Sequence, residues 1–234
     1  MAVILAAVTV YAQRSLRFSN EDGYYTAGVP ADVLDNPANA PYLGLRFGLD
    51  VTCPGSYSVG KTKLDLYGNG AGFHAGAVYN IPCWKNLYFE PGLLLYYNTM
   101  GSDLTTDANG NEDGHISVRR FGVRVPMVAG YRFDFEPVRI SVSTGLQLDL
   151  GLWGRNYLTE DTLNTSESSS CYGDSGSLHR ANLGWKFGVG AEWRNFVLEL
   201  SGTVGMLNMA KGSDDGFKVS YHENLFQLSL GYNF

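Results

Sequence analysis

Charge is what this sequence has least of. Asp, Glu, Lys and Arg make up 17% of its 234 residues, against about 25% in ordinary soluble chains. The balance is acidic, with 17 Lys and Arg against 23 Asp and Glu and a formal net charge of −6. That excludes the basic face of a nucleic-acid binder. No apolar run approaches the ~20 residues that a membrane-spanning helix requires. Yet 44% of the residues are hydrophobic, so a large apolar surface must be placed some other way. Glycine occupies 29 positions, tyrosine 15 and phenylalanine 12. Low charge with many glycines and aromatics does not fit a disordered chain.

The first twelve residues have the apolar stretch of a secretory signal segment without its positive leading region. Val10, Tyr11 and Ala12 before Gln13 suit a cleavage site. The alternative is a buried N-terminal strand or helix. Residues 13–41, with Pro30, Pro37 and Pro41, read as an irregular polar leader on the periplasmic side. The folded domain is expected over 42–234.

From Tyr42 onward the pattern is period two, the mark of strands with one apolar face. In 138–152 the even positions carry Val138, Ile140, Val142, Leu146, Leu148, Leu150 and Leu152, and the odd ones Arg139, Ser141, Ser143, Gln147 and Asp149. Seven more segments alternate likewise: 43–51, 72–81, 87–98, 121–131, 183–193, 196–206 and 223–234. The segment at 87–98 is the least clean, because Tyr88, Leu94 and Tyr96 fall on the face opposite Leu87, Phe89, Leu93 and Leu95. The eight segments are joined alternately by short turns (82–86, 132–137 and 194–195) and by loops of about 15 to 29 residues. Short turns at one end and long loops at the other describe an outer-membrane barrel. The expected fold is all-β: an eight-stranded antiparallel up-and-down transmembrane β-barrel with short periplasmic turns and long extracellular loops.

A soluble lipocalin-like calyx would alternate too, with its apolar residues inside. Two features favour the membrane. Glycine crowds the polar face, as suits a narrow lumen. Tyr42, Tyr79, Phe89, Tyr131, Trp193, Phe196, Tyr232 and Phe234 gather near the short turns on the apolar face, as suits an interfacial girdle. At the C-terminus Phe226, Leu228, Leu230, Tyr232 and Phe234 alternate to a terminal Phe, which resembles the assembly signal read by barrel-insertion machinery.

The stretches FEPGLLLYYNTMG (89–101), RVPMVAGYRF (124–133), FVLELSGTVGMLNM (196–209) and NLFQLSLGYNF (224–234) resemble the outer-membrane β-barrel domain family of Bacteroidota, the PorT-like or "porin family" barrels. The resemblance covers roughly 42–234. It implies the bacterial outer membrane as the location and says little about activity. Pro91, inside a segment that should be a strand, predicts a bulge nearby.

The lumen face presents Arg46, Asp50, His74, Glu90, Arg124, Arg139, Asp149, Lys186, Glu192 and Glu199. Both signs occur, so ion pairs across the lumen are expected, since unpaired buried charge is expensive. An eight-stranded barrel has room for little more than its own side chains. A filled polar plug is the expectation, with a narrow channel for small solutes as the alternative.

No constellation for catalysis recurs at a known spacing among His74, His115, His179 and His222. His115 with Ser117, or His179 with Asp174 and Ser177, are less plausible than solvated loop histidines, so no enzyme and no cofactor are expected. Asp107, Asn109, Asn111 and Asp113 have the oxygen spacing of a calcium loop, but the sixth and twelfth positions are wrong. This leaves a weak calcium candidate that reads better as an acidic loop tip. Of the three cysteines only Cys53 and Cys171 could pair, both being in outer loops, with Cys83 left single beneath a turn. The long loops, notably 99–115 and 153–181, are the expected recognition surface. The partners implied are outer-membrane lipid, insertion machinery during assembly, and an envelope or extracellular protein.

Overall fold

The computed structural model describes residues 40–55, 57–59, 62–64, 68–105, 112–160, 165–173, 176–211 and 219–234. Eight long strands carry the architecture: β1 (Tyr42–Pro54), β2 (Gly70–Trp84), β3 (Leu87–Thr105), β4 (Glu112–Phe135), β5 (Val138–Glu160), β6 (Ala181–Trp193), β7 (Phe196–Gly205) and β8 (Glu223–Asn233). Each pairs antiparallel with its successor. β8 returns to β1, from Gly44 opposite Asn233 to Pro54 opposite Glu223, and the ring closes with no free edge.

Period two becomes geometry directly, because successive side chains on a strand point to opposite faces. The apolar set points out: Phe47, Leu49, Leu93, Phe187, Val189, Leu200 and Leu230 are each more than half exposed. The polar set points in: Arg46, Asp50, His74, Arg124 and Gln147 are all buried. A calyx would require the reverse, so the lipocalin-like alternative fails. The uneven pattern of β3 is explained by the same rule. Tyr88, Leu94 and Tyr96 are lumen residues, buried to 5%, 3% and 6%.

Two of the short turns share a device. Trp84-Lys85-Asn86 and Trp193-Arg194-Asn195 each place the basic residue at positive φ, 47° and 57°. The basic side chain lies over the preceding tryptophan, at 5.2 Å for Lys85 and 5.0 Å for Arg194. Asn86 Nδ2 then donates to Arg132 O and Asn195 Nδ2 to Asn233 O, each tying its turn to a neighbouring strand. These contacts hold a conformation that non-glycine residues rarely adopt.

Aromatic residues ring the short-turn end. Tyr131 packs on Phe133 at 4.9 Å, Phe196 on Tyr232 at 5.3 Å and Tyr232 on Phe234 at 5.0 Å. Tyr42 is a correction to the expected girdle. It shares the inward parity of Gly44 and Arg46, and its hydroxyl accepts from Arg132 Nη2 at 2.7 Å.

Pro91 makes no bulge, which is a second correction. The register is the same on both sides of it, with Val78 opposite Gly92 and Ile81 opposite Phe89, and with Pro91 opposite Met127 and Leu94 opposite Arg124. Rungs are missing there, but no residue is inserted. Pro91 and Pro126 lie near one another across the β3–β4 ladder, and a Cβ on Gly92 would stand 2.9 Å from the Pro126 ring, so glycine gives that ring its room. Shifts of register occur instead at 82/84, 104/105 and 121/122.

β3, β4 and β5 run beyond the expected limits at 98, 121 and 152. Above the barrel, 165–170 folds back on 155–160 to extend the wall. The short strands 57–59, 62–64 and 219–220 form a separate small sheet.

Candidate functional site

Five strands contribute to one network centred on a lumen carboxylate. Asp50 of β1 accepts from Arg124 Nη1 of β4 at 2.9 Å, and Arg124 Nε reaches on to Asp149 Oδ1 of β5 at 3.1 Å. His74 of β2 binds the other Asp50 oxygen through Nδ1 at 2.7 Å. Gln227 Nε2 of β8 donates to that oxygen at 3.2 Å. A carboxylate oxygen only accepts, so His74 Nδ1 is the donor in this contact. The Arg124 guanidinium also lies 4.7 Å from the Tyr96 ring centroid. The side chains of Asp50, His74 and Arg124 are 0%, 1% and 1% exposed. Gly48 beside them has no side chain because a Cβ there would meet the His74 ring at 2.5 Å.

Toward the short turns a second tier spans the lumen. Arg46 pairs with Glu90 at 3.6 Å and Lys186 with Glu199 at 3.0 Å. Arg46 Nη1 donates to Asn233 Oδ1, and Asn233 Nδ2 donates to Glu192. Arg139 closes the tier near the barrel end, 2.7 Å from Asp134 and 3.8 Å from Glu192. Toward the long loops Arg120 pairs with Glu223 at 2.9 Å, and Tyr221 Oη donates to the same carboxylate. Thus Arg46, Asp50, His74, Glu90, Arg124 and Lys186 are buried, while Arg139, Asp149, Glu192 and Glu199 keep 17–21% of their side-chain surface.

Sequence reasoning missed several members. Gln227, Ser229 and Gln147 lie on the polar face but carry no charge to draw notice. Arg120 lies just before the expected start of its strand. Ser229 matters because its Oγ is 2.9 Å from His74 Nε2. Asp50, His74 and Ser229 therefore have the hydrogen-bond order of a nucleophilic triad. The chemistry is blocked. Ser229 is 4% exposed, and the cavity beside it, lined by Arg46, His74, Glu90, Lys186, Glu199 and Ser229 among others, holds ≈ 20 Å³. That is room for about one water, and for no acyl substrate. A second cavity of ≈ 20 Å³ lies on the other side of Arg124, between Arg120, Asp149 and Glu223.

Above the polar tiers the interior turns apolar. Met100, Val118, Cys171, Tyr172, Leu178, Met209, Ala210, Val219 and Tyr221 form one buried cluster at the long-loop mouth. It is tied by backbone bonds from Leu178 N to Cys171 O and from Met209 N to Tyr221 O.

The family model for the outer membrane protein beta-barrel domain matches residues 39–211, well over half of the chain. The chain belongs to this family. It is accordingly a protein of the bacterial outer membrane. Among solved structures it is similar to Ail, the attachment invasion locus protein of Yersinia pestis, solved in complex with the heparin analogue sucrose octasulfate: 16% identity, TM-score 0.37, 83% of this chain and 99% of that one. Neisserial surface protein A aligns at 13% identity and TM-score 0.41, over 82% and 97%. OprG of Pseudomonas aeruginosa aligns at 9% and 0.38, over 82% and 95%. Comparison with curated proteins finds no match.

In this family member the three cysteines are all free, which corrects the expected Cys53–Cys171 pair. Cys53 alternates with the buried Thr52 and so takes the outer face of β1, whereas Cys171 sits inside the cap, and no side-chain bond joins opposite faces of a wall. Cys171 Sγ donates to Asn156 Oδ1 at 2.9 Å, and burial pushes its thiol up to about 11. Cys83 is exposed rather than tucked under its turn. Asp107, Asn109 and Asn111, and the side chain of Asp113, lie outside the described residues, as do residues 1–39. Among the described residues no cluster of three His, Cys, Asp or Glu could hold a metal.

Proposed function

We propose that this outer-membrane barrel is a non-enzymatic, non-conducting structural or interaction protein that acts through its long-loop end, on the cell surface or within an envelope complex. The observation that carries the reading is Arg124, which bridges Asp50 and Asp149 across the lumen at 2.9 and 3.1 Å. The apolar cap above it is a second closure. With both in place, what remains for partners is the folded rim of the long loops, held outside by short periplasmic turns at the other end. The quoted stretches of β3, β4, β7 and β8 support a PorT-like barrel of the Bacteroidota kind. On this reading residues 1–12 direct export, 13–41 are a periplasmic leader, and the exposed Phe226, Leu228, Leu230, Tyr232 and Phe234 face lipid and present the signal to the insertion machinery.

The test is conductance in planar bilayers. Purified protein is expected to show no stable open state. Regular ohmic openings would favour the narrow channel, a reading supported by the two water-sized cavities on either side of Arg124.

A further inference from the structure

Along β4 the outward positions from Phe135 to Phe121 are all apolar, and the next is Arg119. Phe121 pairs with Trp153 of β5, both outward and exposed at 37% and 42%. Two residues further on, Arg119 pairs with Arg155, both exposed on the same face. From Tyr131 to Phe121 is ten residues, about 33 Å of strand at ~3.3 Å per residue. At a tilt of ~40° this is about 25 Å of height, the thickness of an outer-membrane apolar band. The two arginines then stand about 5 Å beyond the upper aromatic ring by the same geometry, in the headgroup layer.

Like charges directly opposite on neighbouring strands destabilise a sheet. Neither guanidinium has an ion pair among the described residues; the Arg119 group only lies over the Tyr157 ring, at 5.1 Å. A third guanidinium, Arg180, turns to the inner side, over the ring of the buried Tyr172 at 5.4 Å with Nη1 donating to Gly151 O at 3.3 Å and Leu152 O at 3.1 Å, and so takes no part in this outer face. On the remaining wall the outward residues at the long-loop end, Ala71, Thr99, Asn224 and Met206, are uncharged. Among these outward positions only the Arg119–Arg155 rung is charged, directly above aromatic side chains.

We infer that Arg119 and Arg155 form a binding site for the phosphate of an outer-leaflet lipid, whose acyl chains lie on the Phe121–Trp153 face below. A phosphate between two guanidiniums relieves their repulsion and takes up their forked donors. The site rests on the membrane placement of the barrel, and not on its lumen being closed.

Native mass spectrometry of the protein in non-ionic micelles tests it, with three probes: phosphatidic acid, diacylglycerol of the same chains, and inorganic phosphate. The wild type is expected to retain one phosphatidic acid at about tenfold lower concentration than diacylglycerol. Arg119→Gln with Arg155→Gln should lose that preference, Arg155→Gln alone should lose part of it, and the paired lysine substitutions should restore part. Arg194→Gln, at the opposite end, should change nothing. Each variant is first shown to run as the compact unboiled band. Undiminished retention by the paired glutamine variant would overturn the site. So would equal retention of diacylglycerol, or displacement of the lipid by inorganic phosphate, which would mark a free-anion site.

Discussion

The lumen at membrane level and the cap above it are built on opposite rules, although the same strands run through both. On β3, Asn98 points inward and is 3% exposed; one step up, the inward residue is Met100 at 2%. On β4, Arg120 is inward at 3%, and one step up Val118 is inward at 0%. Asn98 pairs with Arg120 and Met100 with Val118, so both strands change at the same rung. The outer face changes with them, from Tyr97 and Phe121 to Thr99 and Arg119. Below that rung the solvent is lipid, so apolar side chains face out and backbone polar groups must be satisfied within the wall. Above it the solvent is water, and apolar side chains turn in. The inversion therefore marks where lipid ends.

The two regions should fail differently, and substitutions can separate them. The largest effect is expected at Arg124→Ala, which leaves Asp50 and Asp149 facing each other inside the barrel. Losing one partner of a buried charge network should destabilise by about 3–5 kcal/mol, read as a lower denaturant midpoint for loss of the compact band. Leu178→Ala removes a cap side chain that is 1% exposed and should cost about 2–5 kcal/mol. That loss should stay local. Cys171, shielded and with its thiol pushed up to about 11, should alkylate faster in the variant while the barrel remains compact. Met127→Arg, outward near mid-membrane, should destabilise by about 2–4 kcal/mol, whereas the native arginine at 119 lies beyond the apolar band. The smallest change is expected at Gln147→Leu. Neither amide atom of Gln147 has a partner among the described residues, although the side chain is 1% exposed. The substitution should be neutral or slightly stabilising in the same denaturant assay.

The membrane-level half was legible in the sequence because period two over ten or more residues admits one sorting of faces. Leu146 and Gln147, or Phe187 and Lys186, could be assigned to lipid and lumen on parity alone. The errors fall where parity loses meaning. Tyr42, the first residue of its strand, suits a girdle by residue type, and only the strand's continuation to it gives it the inward parity of Gly44. Pro91 suggested an inserted residue, but rungs on both sides hold the register of a closed ring. The cap was not legible at all. Leu178, Met209 and Tyr221 are isolated in polar stretches, and only the fold brings them over Met100 and Val118. The Asp50–His74–Ser229 contact joins the first two strands to the last, across the closure of the ring, so no spacing could announce it.

A depth scan along β4 tests the inversion most directly. Single cysteines would replace each outward residue at 117, 119, 121, 123, 125, 127, 129 and 131 in protein freed of its three native cysteines and reconstituted in liposomes. The reagent is a water-soluble maleimide. The account predicts rapid labelling at 117 and 119 and protection from 123 through 129, with the boundary at 121. Labelling at 123–129 as fast as at 119 would contradict it, since the apolar face would then be in water rather than in lipid.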